Sequence, residues 1–222
     1  MAEFAASELL VGIDHHEVIK EGFVVDVVRE EIYKHNVDLV VLGTHGYRGI
    51  KKLVMGSLAE EISNSVSCPV LTVGPNVVLH PTEQIDLKTI LIAKSLNHDS
   101  IKPLSCAMWI ARQEHAKLLL AHVLTTPPNA TEEQMREQKN KAEAQLAQLL
   151  STQDAWRVES EIVVESGEAA DVLERVARER GADLIVLGAH VGGYPQISTH
   201  LPVHVSHHLI SHAACPVLTV RD

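Results

Sequence analysis

The feature that most constrains this chain is a repetition of its own sequence. Residues 37–45, VDLVVLGTH, return at 182–190 as ADLIVLGAH, and residues 67–73, SCPVLTV, return at 214–220 as ACPVLTV. The offset is 145 residues for the first pair and 147 for the second, so the second copy carries two extra residues between the blocks. A duplication of this kind indicates two related folding units.

Each copy alternates between strand and helix. The runs 39–42 and 70–73 are continuous and rich in branched aliphatic residues, as strands buried on both faces are. Apolar residues between Gly22 and Asp38 follow helical spacing, and the second copy repeats the same face after Gly167. Strands that alternate with helices predict a parallel sheet with right-handed crossovers.

The second copy is predicted to be complete and the first is not. In the second, the pattern predicts strands at 89–93, 117–123, 158–164, 183–187 and 216–220, and helices at 100–115, 131–150, 168–180 and 203–212. In the first, it predicts strands at 17–20, 38–42 and 70–73 and a helix at 58–66. The predicted domains are therefore a first repeat at 1–75, a linker at 76–86 and a second repeat at 87–222.

Composition narrows the class of function. The net charge of −10 argues against a nucleic-acid partner, because proteins that bind DNA or RNA carry a basic face. The apolar run at 9–13 is too short for a signal core or a membrane span. Three cysteines, Cys68, Cys106 and Cys215, are odd in number and lack metal-ligand spacing. We expect a cytoplasmic protein without a membrane or nucleic-acid partner.

One loop of the first copy carries a candidate binding motif. Gly43, Thr44, His45 and Gly46 follow a buried strand, and nine residues later Gly56-Ser57 stands at the start of a helix. Glycines let the backbone approach a ligand closely, and the unpaired N–H groups of a helix start attract phosphate. A tight turn followed by a helix cap is the alternative interpretation.

This G-x-x-G-x9-G-S pattern resembles the nucleotide-binding motif of the universal stress proteins, and the resemblance covers nearly the whole chain. It implies an α/β fold with an open parallel five-stranded sheet of order 3-2-1-4-5, Rossmann-like and similar to the adenine-nucleotide alpha hydrolases, here duplicated. In that family the loop holds the ribose and phosphates of ATP or a related nucleotide. The resemblance makes ATP or AMP the candidate cofactor of the first repeat, with Gly43, Thr44, His45, Gly46, Gly56 and Ser57 as the binding residues.

The second copy departs from the family's pattern. Family members that bind ATP also use an Asp just after the first strand, and here Ser95 stands at that place. Val191 replaces the second glycine of the loop, and Val203-His204 replaces the Gly-Ser pair. A β-branched residue is a poor substitute where φ has to be positive. We expect no cofactor in the second repeat.

The implied sheet order creates a difficulty for the first repeat, whose first and second strands have no counterpart. Strand 17–20 would be orphaned, and strand 38–42 would lose a neighbour and leave an open edge. We expect a truncated gene product in which pairing of the two repeats, or of two subunits in a homodimer, through the last strands covers part of the exposed surface.

The remaining constellations predict no catalytic residue. His204, His208 and His212 share one helix face at four-residue spacing, which leaves two alternatives, a metal site or a polar surface. Serine-nucleophile motifs are absent, and Cys68 and Cys215 are interpreted as core residues. The leading hypothesis is a stress-response protein that binds a nucleotide without turnover. The alternative is an interaction and dimerisation protein with empty sites, and a nucleotide-hydrolysing enzyme ranks last.

Overall fold

The computed structural model describes residues 12–43, 55–78, 86–96, 100–125, 129–152, 157–189 and 203–221. The first repeat contributes α1 (Val24–His35), β1 (Val40–Gly43), α2 (Met55–Ser65) and β2 (Val70–Val73). The second repeat contributes β3 (Thr89–Ala93), α3 (Lys102–Glu114), β4 (Lys117–Leu124), α4 (Glu132–Ser151), β5 (Ser160–Ser166), α5 (Ala169–Glu179), β6 (Leu184–Ala189), α6 (Val203–His212) and β7 (Val217–Arg221).

Local sequence signals account for several element boundaries. Helix α4 begins at a capping box, in which Thr131 Oγ1 accepts from the Gln134 amide at 3.2 Å and Gln134 Oε1 accepts from the Thr131 amide at 2.9 Å. Gly22 and Gly167 precede α1 and α5 at equivalent places in the two repeats, and both have φ of 146°. The duplication is therefore visible in backbone geometry as well as in sequence.

The strands form a single seven-stranded sheet in the order β1-β2-β7-β6-β3-β4-β5. From β5 to β7, the second repeat contributes its third, second, first, fourth and fifth strands in that spatial order. This confirms the predicted order 3-2-1-4-5. Every neighbouring pair is parallel except β2 and β7, which run antiparallel with Leu71 opposite Leu218. The two repeats thus pair through their last strands and build one continuous sheet.

The strand predicted at 17–20 is wrong. Residues 13–21 belong to no helix or strand. A strand needs a neighbour for its backbone groups, and the described part of the chain supplies none at that position. Lys20 instead contacts α1, with its Nζ 3.0 Å from a carboxylate oxygen of Glu30 and 2.6 Å from one of Glu31. Strand β1, in contrast, forms as predicted and pairs only with β2 among the described strands.

The core lies mainly in the second repeat. Helices α5 and α6 bury one face of the sheet and α3 and α4 bury the other. In the first repeat, α1 and α2 cover β1 and β2 on the same face as α5 and α6, around a small cluster of Ile62, Val66 and Val70. On the opposite face of β1, Leu39 is 46% exposed and Val41 is 59% exposed. The first repeat is therefore covered on one face only within the described residues.

Reciprocal contacts hold the junction between the repeats. The Asn76 amide donates to the His212 carbonyl at 3.0 Å, at the carboxyl end of α6. The Arg221 guanidinium donates to the Val66 carbonyl at 3.0 Å, just beyond the carboxyl end of α2. Each repeat thus contacts the carboxyl end of the last helix of the other, through Asn76 after β2 and through Arg221 at the end of β7.

Candidate functional site

Gly43 is the one predicted site residue whose surroundings the structure describes. It is the last residue of β1 and is exposed at the carboxyl edge of the sheet. A Cβ built on Gly43 would meet no atom of the described residues within 4 Å, so these residues leave space beside the backbone there. Ligands of open α/β sheets bind outside the carboxyl ends of the strands, which is where Gly43 lies.

Helix α2 begins at Met55, three residues earlier than the sequence predicts. Gly56 and Ser57 consequently lie within its first turn, whose backbone N–H groups have no partner inside a helix. Because β1 and β2 are parallel and α2 connects them, the start of α2 faces the same edge of the sheet as Gly43. Thr44, His45 and Gly46 lie outside the described residues, as does the side chain of Ser57.

The corresponding edge of the second repeat carries a lysine. Lys94 directly follows β3, and its Nζ donates to the Ser100 carbonyl at 2.7 Å. His122 Nδ1 lies 2.8 Å from the Lys94 carbonyl, and burial lowers the pKa of the His122 imidazole. Lys94 and Ser95 follow β3 at the place where family members that bind ATP have an Asp. The altered loop positions Val191 and the side chains of Val203 and His204 lie outside the described residues.

The late histidines make contacts with protein groups. His208 Nε2 lies 2.8 Å from a Glu174 carboxylate oxygen and 4.0 Å from one of Asp171. The His212 ring stacks on His208 with centroids 4.3 Å apart, and its Nδ1 lies 2.9 Å from the His208 carbonyl. Within the residues that the structure describes, no group of three His, Cys, Asp or Glu side chains could hold a metal ion.

The three cysteines are free thiols with little reactivity. Cys215 is buried, and Cys68 and Cys106 are partly buried. Burial raises the pKa of all three thiols, and for Cys215 it does so to about 12. A thiol with a raised pKa is a poor nucleophile near neutral pH. Their contacts agree with the interpretation of the cysteines as packing residues.

Sequence reasoning missed an apolar groove at the junction of the repeats. It has a volume of about 750 Å³ and lies beside helix α3, between the residues just before β1, strand β2 and the starts of β6 and β7. Its walls include Leu39, Leu71, Val78, Trp109, Ile110 and Leu218. We call this surface the junction groove. Leu39 and Leu71 are recognisable as apolar in the sequence, but their proximity to Trp109 depends on the antiparallel pairing of β2 with β7.

A second, polar cavity lies near the amino end of β1. Arg29, Lys102 and Arg221 line it together with carboxylates such as Asp38. Burial and the nearby positive charge of Arg29 lower the pKa of Arg221. The cavity holds charges of both signs, so it does not select one sign of ligand.

Comparison with known proteins assigns the family. The sequence model of the protein family described as "Universal stress protein family" matches residues 2–74 and 87–221. The chain belongs to the universal stress protein family. The two matched segments correspond to the two repeats of the sequence, and the sheet order of the second repeat is the one that the family resemblance implies.

Individual relatives match shorter stretches. Universal stress protein MJ0531 of Methanocaldococcus jannaschii is 36% identical over 62 residues, which are 28% of this chain and 36% of that protein. The universal stress protein E homolog of Haemophilus influenzae is 35% identical over 66 residues, 29% of this chain and 21% of that protein. The matched region thus spans about a third of the first relative's length and a fifth of the second's.

A solved structure supports the fold over most of the chain. The crystal structure of a universal stress protein from Archaeoglobus fulgidus superimposes with a TM-score of 0.60 and 19% identity, covering 92% of this chain and 68% of that chain. The helices of the described residues include none that is both long and apolar enough to cross a bilayer.

Proposed function

We propose that this universal stress protein binds an adenine nucleotide, ATP or AMP, at the carboxyl edge of the first repeat and does not turn it over. One observation carries the proposal: Gly43 ends a parallel strand beside space that the described residues leave open, and the next helix begins with Gly56 and Ser57 in its first turn. A helix start of this kind favours an anionic group through its N–H donors and its dipole.

The proposed roles follow from the chemistry of each residue. Gly43 and Gly46 leave the backbone bare, so that a nucleotide can lie against it. Backbone N–H groups at Gly56 and Ser57 donate to phosphate oxygens, and the Ser57 hydroxyl donates to one more. Thr44 and His45 complete the loop. The second repeat has Lys94-Ser95 after its first strand and an altered loop, so the proposal places one nucleotide on each chain.

A binding measurement tests the site directly. Native mass spectrometry of the purified chain should show one bound nucleotide, and ATP or AMP should raise the melting temperature. Gly46→Val should abolish both, because a β-branched side chain would stand where the nucleotide approaches. Val191→Ala changes the equivalent loop of the second repeat and should leave both results as they are in the parent chain. An undiminished thermal shift in Gly46→Val would place the nucleotide elsewhere.

Turnover is tested separately. Incubation with ATP should release no more phosphate than a buffer control does. Steady phosphate release that Ser57→Ala abolishes would contradict binding without turnover and would favour the hydrolysing enzyme.

The second candidate function is an interaction protein with empty sites. Among the described strands β1 has a neighbour on one side only, and an unpaired apolar strand edge is a template for pairing with another chain. We propose, with either function, a cytoplasmic location and association of chains into a homodimer. Sedimentation of the purified chain would measure the dimer, and a monomer across the micromolar range would contradict it.

A further inference from the structure

The two repeats differ in what an equivalent carboxylate does. Asp183 precedes β6, and its Oδ2 accepts hydrogen bonds from the Lys88 and Thr89 amides at 2.8 and 2.9 Å, at the start of neighbouring strand β3. Asp38 is its counterpart before β1 in the duplicated sequence. Asp38 is exposed, and its carboxylate makes no hydrogen bond or ion pair with any residue that the structure describes.

The two repeats also differ in whether a helix covers one face of their strands. In the second repeat, α3 follows β3 and covers β3, β6 and β7 with side chains such as Leu104 and Met108. The equivalent face of β1 and β2 has no such helix within the described residues. Leu71 of β2 and Leu39, just before β1, line the junction groove beside the half-exposed Trp109 of α3.

The lining of the junction groove is mostly apolar. Of its three aspartates, Asp86 lies 3.2 Å from Lys88 Nζ and Asp183 accepts from two backbone amides. Asp38 also lines the polar cavity that contains Arg29, Lys102 and Arg221, so the groove favours a partner through its apolar walls and not through charge. A central aromatic side chain such as Trp109 is the residue type that anchors partners most strongly.

We propose that the free edge of β1 and the junction groove bind a strand–helix unit of another protein chain. An aliphatic strand of the partner pairs in parallel with β1, and its first amides donate to the Asp38 carboxylate. The amphipathic helix that follows lies in the junction groove against Trp109. The surface adjoins Gly43 at the end of β1, but its test uses no nucleotide, so the two proposals can fail separately.

The internal repeat gives the register of the pairing. In the second repeat Ile90 pairs with Leu184 and Ala93 pairs with Leu187. Transfer to the equivalent positions of β1 sets the partner residues corresponding to Ile90 and Ala93 opposite Leu39 and Leu42. The unit that fits this site is one with the pattern of residues 86–115 of the chain itself, an aliphatic strand followed by an amphipathic helix.

A peptide corresponding to residues 86–115, with Cys106→Ser and an amino-terminal fluorophore, is the probe. Fluorescence anisotropy with the full chain should show saturable binding of one peptide per chain. The same peptide with Ile90→Pro and Ile92→Pro cannot pair as a strand and should bind at least tenfold more weakly. Hydrogen exchange at residues 40–43 should slow when the parent peptide is bound.

Protein variants separate the proposal from unspecific adhesion. Asp38→Ala should weaken binding about tenfold, because two hydrogen bonds to a charged acceptor are lost. Val41→Lys, an exposed position, should weaken it similarly, and Asp26→Ala on α1 should change it less than twofold. No saturable binding, or equal binding by Asp38→Ala and the parent chain, would overturn the proposal. A homodimer that dissociates in the Val41→Lys variant, but not when the peptide is added to the parent chain, would also overturn the proposal.

Discussion

Gly74, directly after β2, is the residue on which the junction depends most closely. A Cβ at this position would lie 2.3 Å from the carbonyl oxygen of Ile210, a backbone atom of α6 that cannot move aside cheaply. Gly74→Ala should therefore lower the free energy of unfolding by about 1–3 kcal/mol, as overpacking does. Urea unfolding measures the change.

Gly43→Ala is the matched control for that measurement, because its Cβ would enter open space. Its effect on the free energy of unfolding should stay within about 0.5 kcal/mol. Equal losses in the two variants would show that the contact of Gly74 with α6 is not what makes glycine necessary there.

The buried thiol of Cys215 predicts a selective chemical reactivity. A pKa of about 12 leaves far less thiolate at pH 8 than the ordinary value of about 8.5 does. Alkylation of Cys215 by iodoacetamide at pH 8 should thus be more than a hundredfold slower in the folded chain than in urea. Peptide mass spectrometry can follow the three cysteines separately, and Cys68, which is less buried, should react first. Equal rates for Cys68 and Cys215 in the folded chain would contradict the burial.

The same raised pKa links folding to pH. The folded chain holds the Cys215 proton more tightly than the unfolded chain, so this contribution to stability is complete below the unfolded pKa. It is lost as the pH rises from about 9 towards 12. Cys215→Ala should flatten the alkaline decline of the free energy of unfolding. If the free energy of unfolding declined equally steeply in Cys215→Ala, the decline would come from other titrating groups.

At the scale of elements, the start of β3 depends on a side chain from the strand next to it. Asp183→Ala would leave the Lys88 and Thr89 amides without their acceptor. It should lower the free energy of unfolding by about 2–3 kcal/mol. Asp38→Ala, at the equivalent place in the first repeat, should change it by less than about 0.5 kcal/mol, because no described strand donates amides to Asp38. Equal effects would mean that Asp38 also holds a strand in the free chain.

Element prediction from sequence succeeded where the signal is local and failed where it is not. Thr131 and Gln134 fix the start of α4 within one turn, and the sequence alone suffices to place that helix. The segment 17–20 has strand-like residues, but a strand also requires a neighbour that comes from elsewhere in the chain. The four residues of β1 form a strand because the equally apolar β2 lies beside them.

At the scale of the whole molecule, the duplication predicted two related units, and the family resemblance predicted the sheet order. Pairing of the repeats through β2 and β7 was one of two alternatives that the sequence left open, the other being pairing of two subunits. The junction groove could not be predicted, because it arises where α3 of one repeat approaches the uncovered strands of the other. For the candidate site, sequence placed Gly43 at a strand end correctly, but it set the start of α2 three residues late.

The uneven distribution of the core predicts that the two repeats open independently. The fully buried side chains of the second repeat include Leu91, Leu119 and Ile185, but α1 has no buried residue. Local openings cost less where fewer apolar contacts are broken. Native-state hydrogen exchange should therefore show α1 amides opening at least about 2 kcal/mol below the free energy of global unfolding, which the amides of β4 should report. Leu119→Ala should lower the opening free energy of β4 and leave that of α1 nearly unchanged. Opening of α1 and β4 at the same free energy would mean that the antiparallel pairing of β2 with β7 couples the repeats into one cooperative unit.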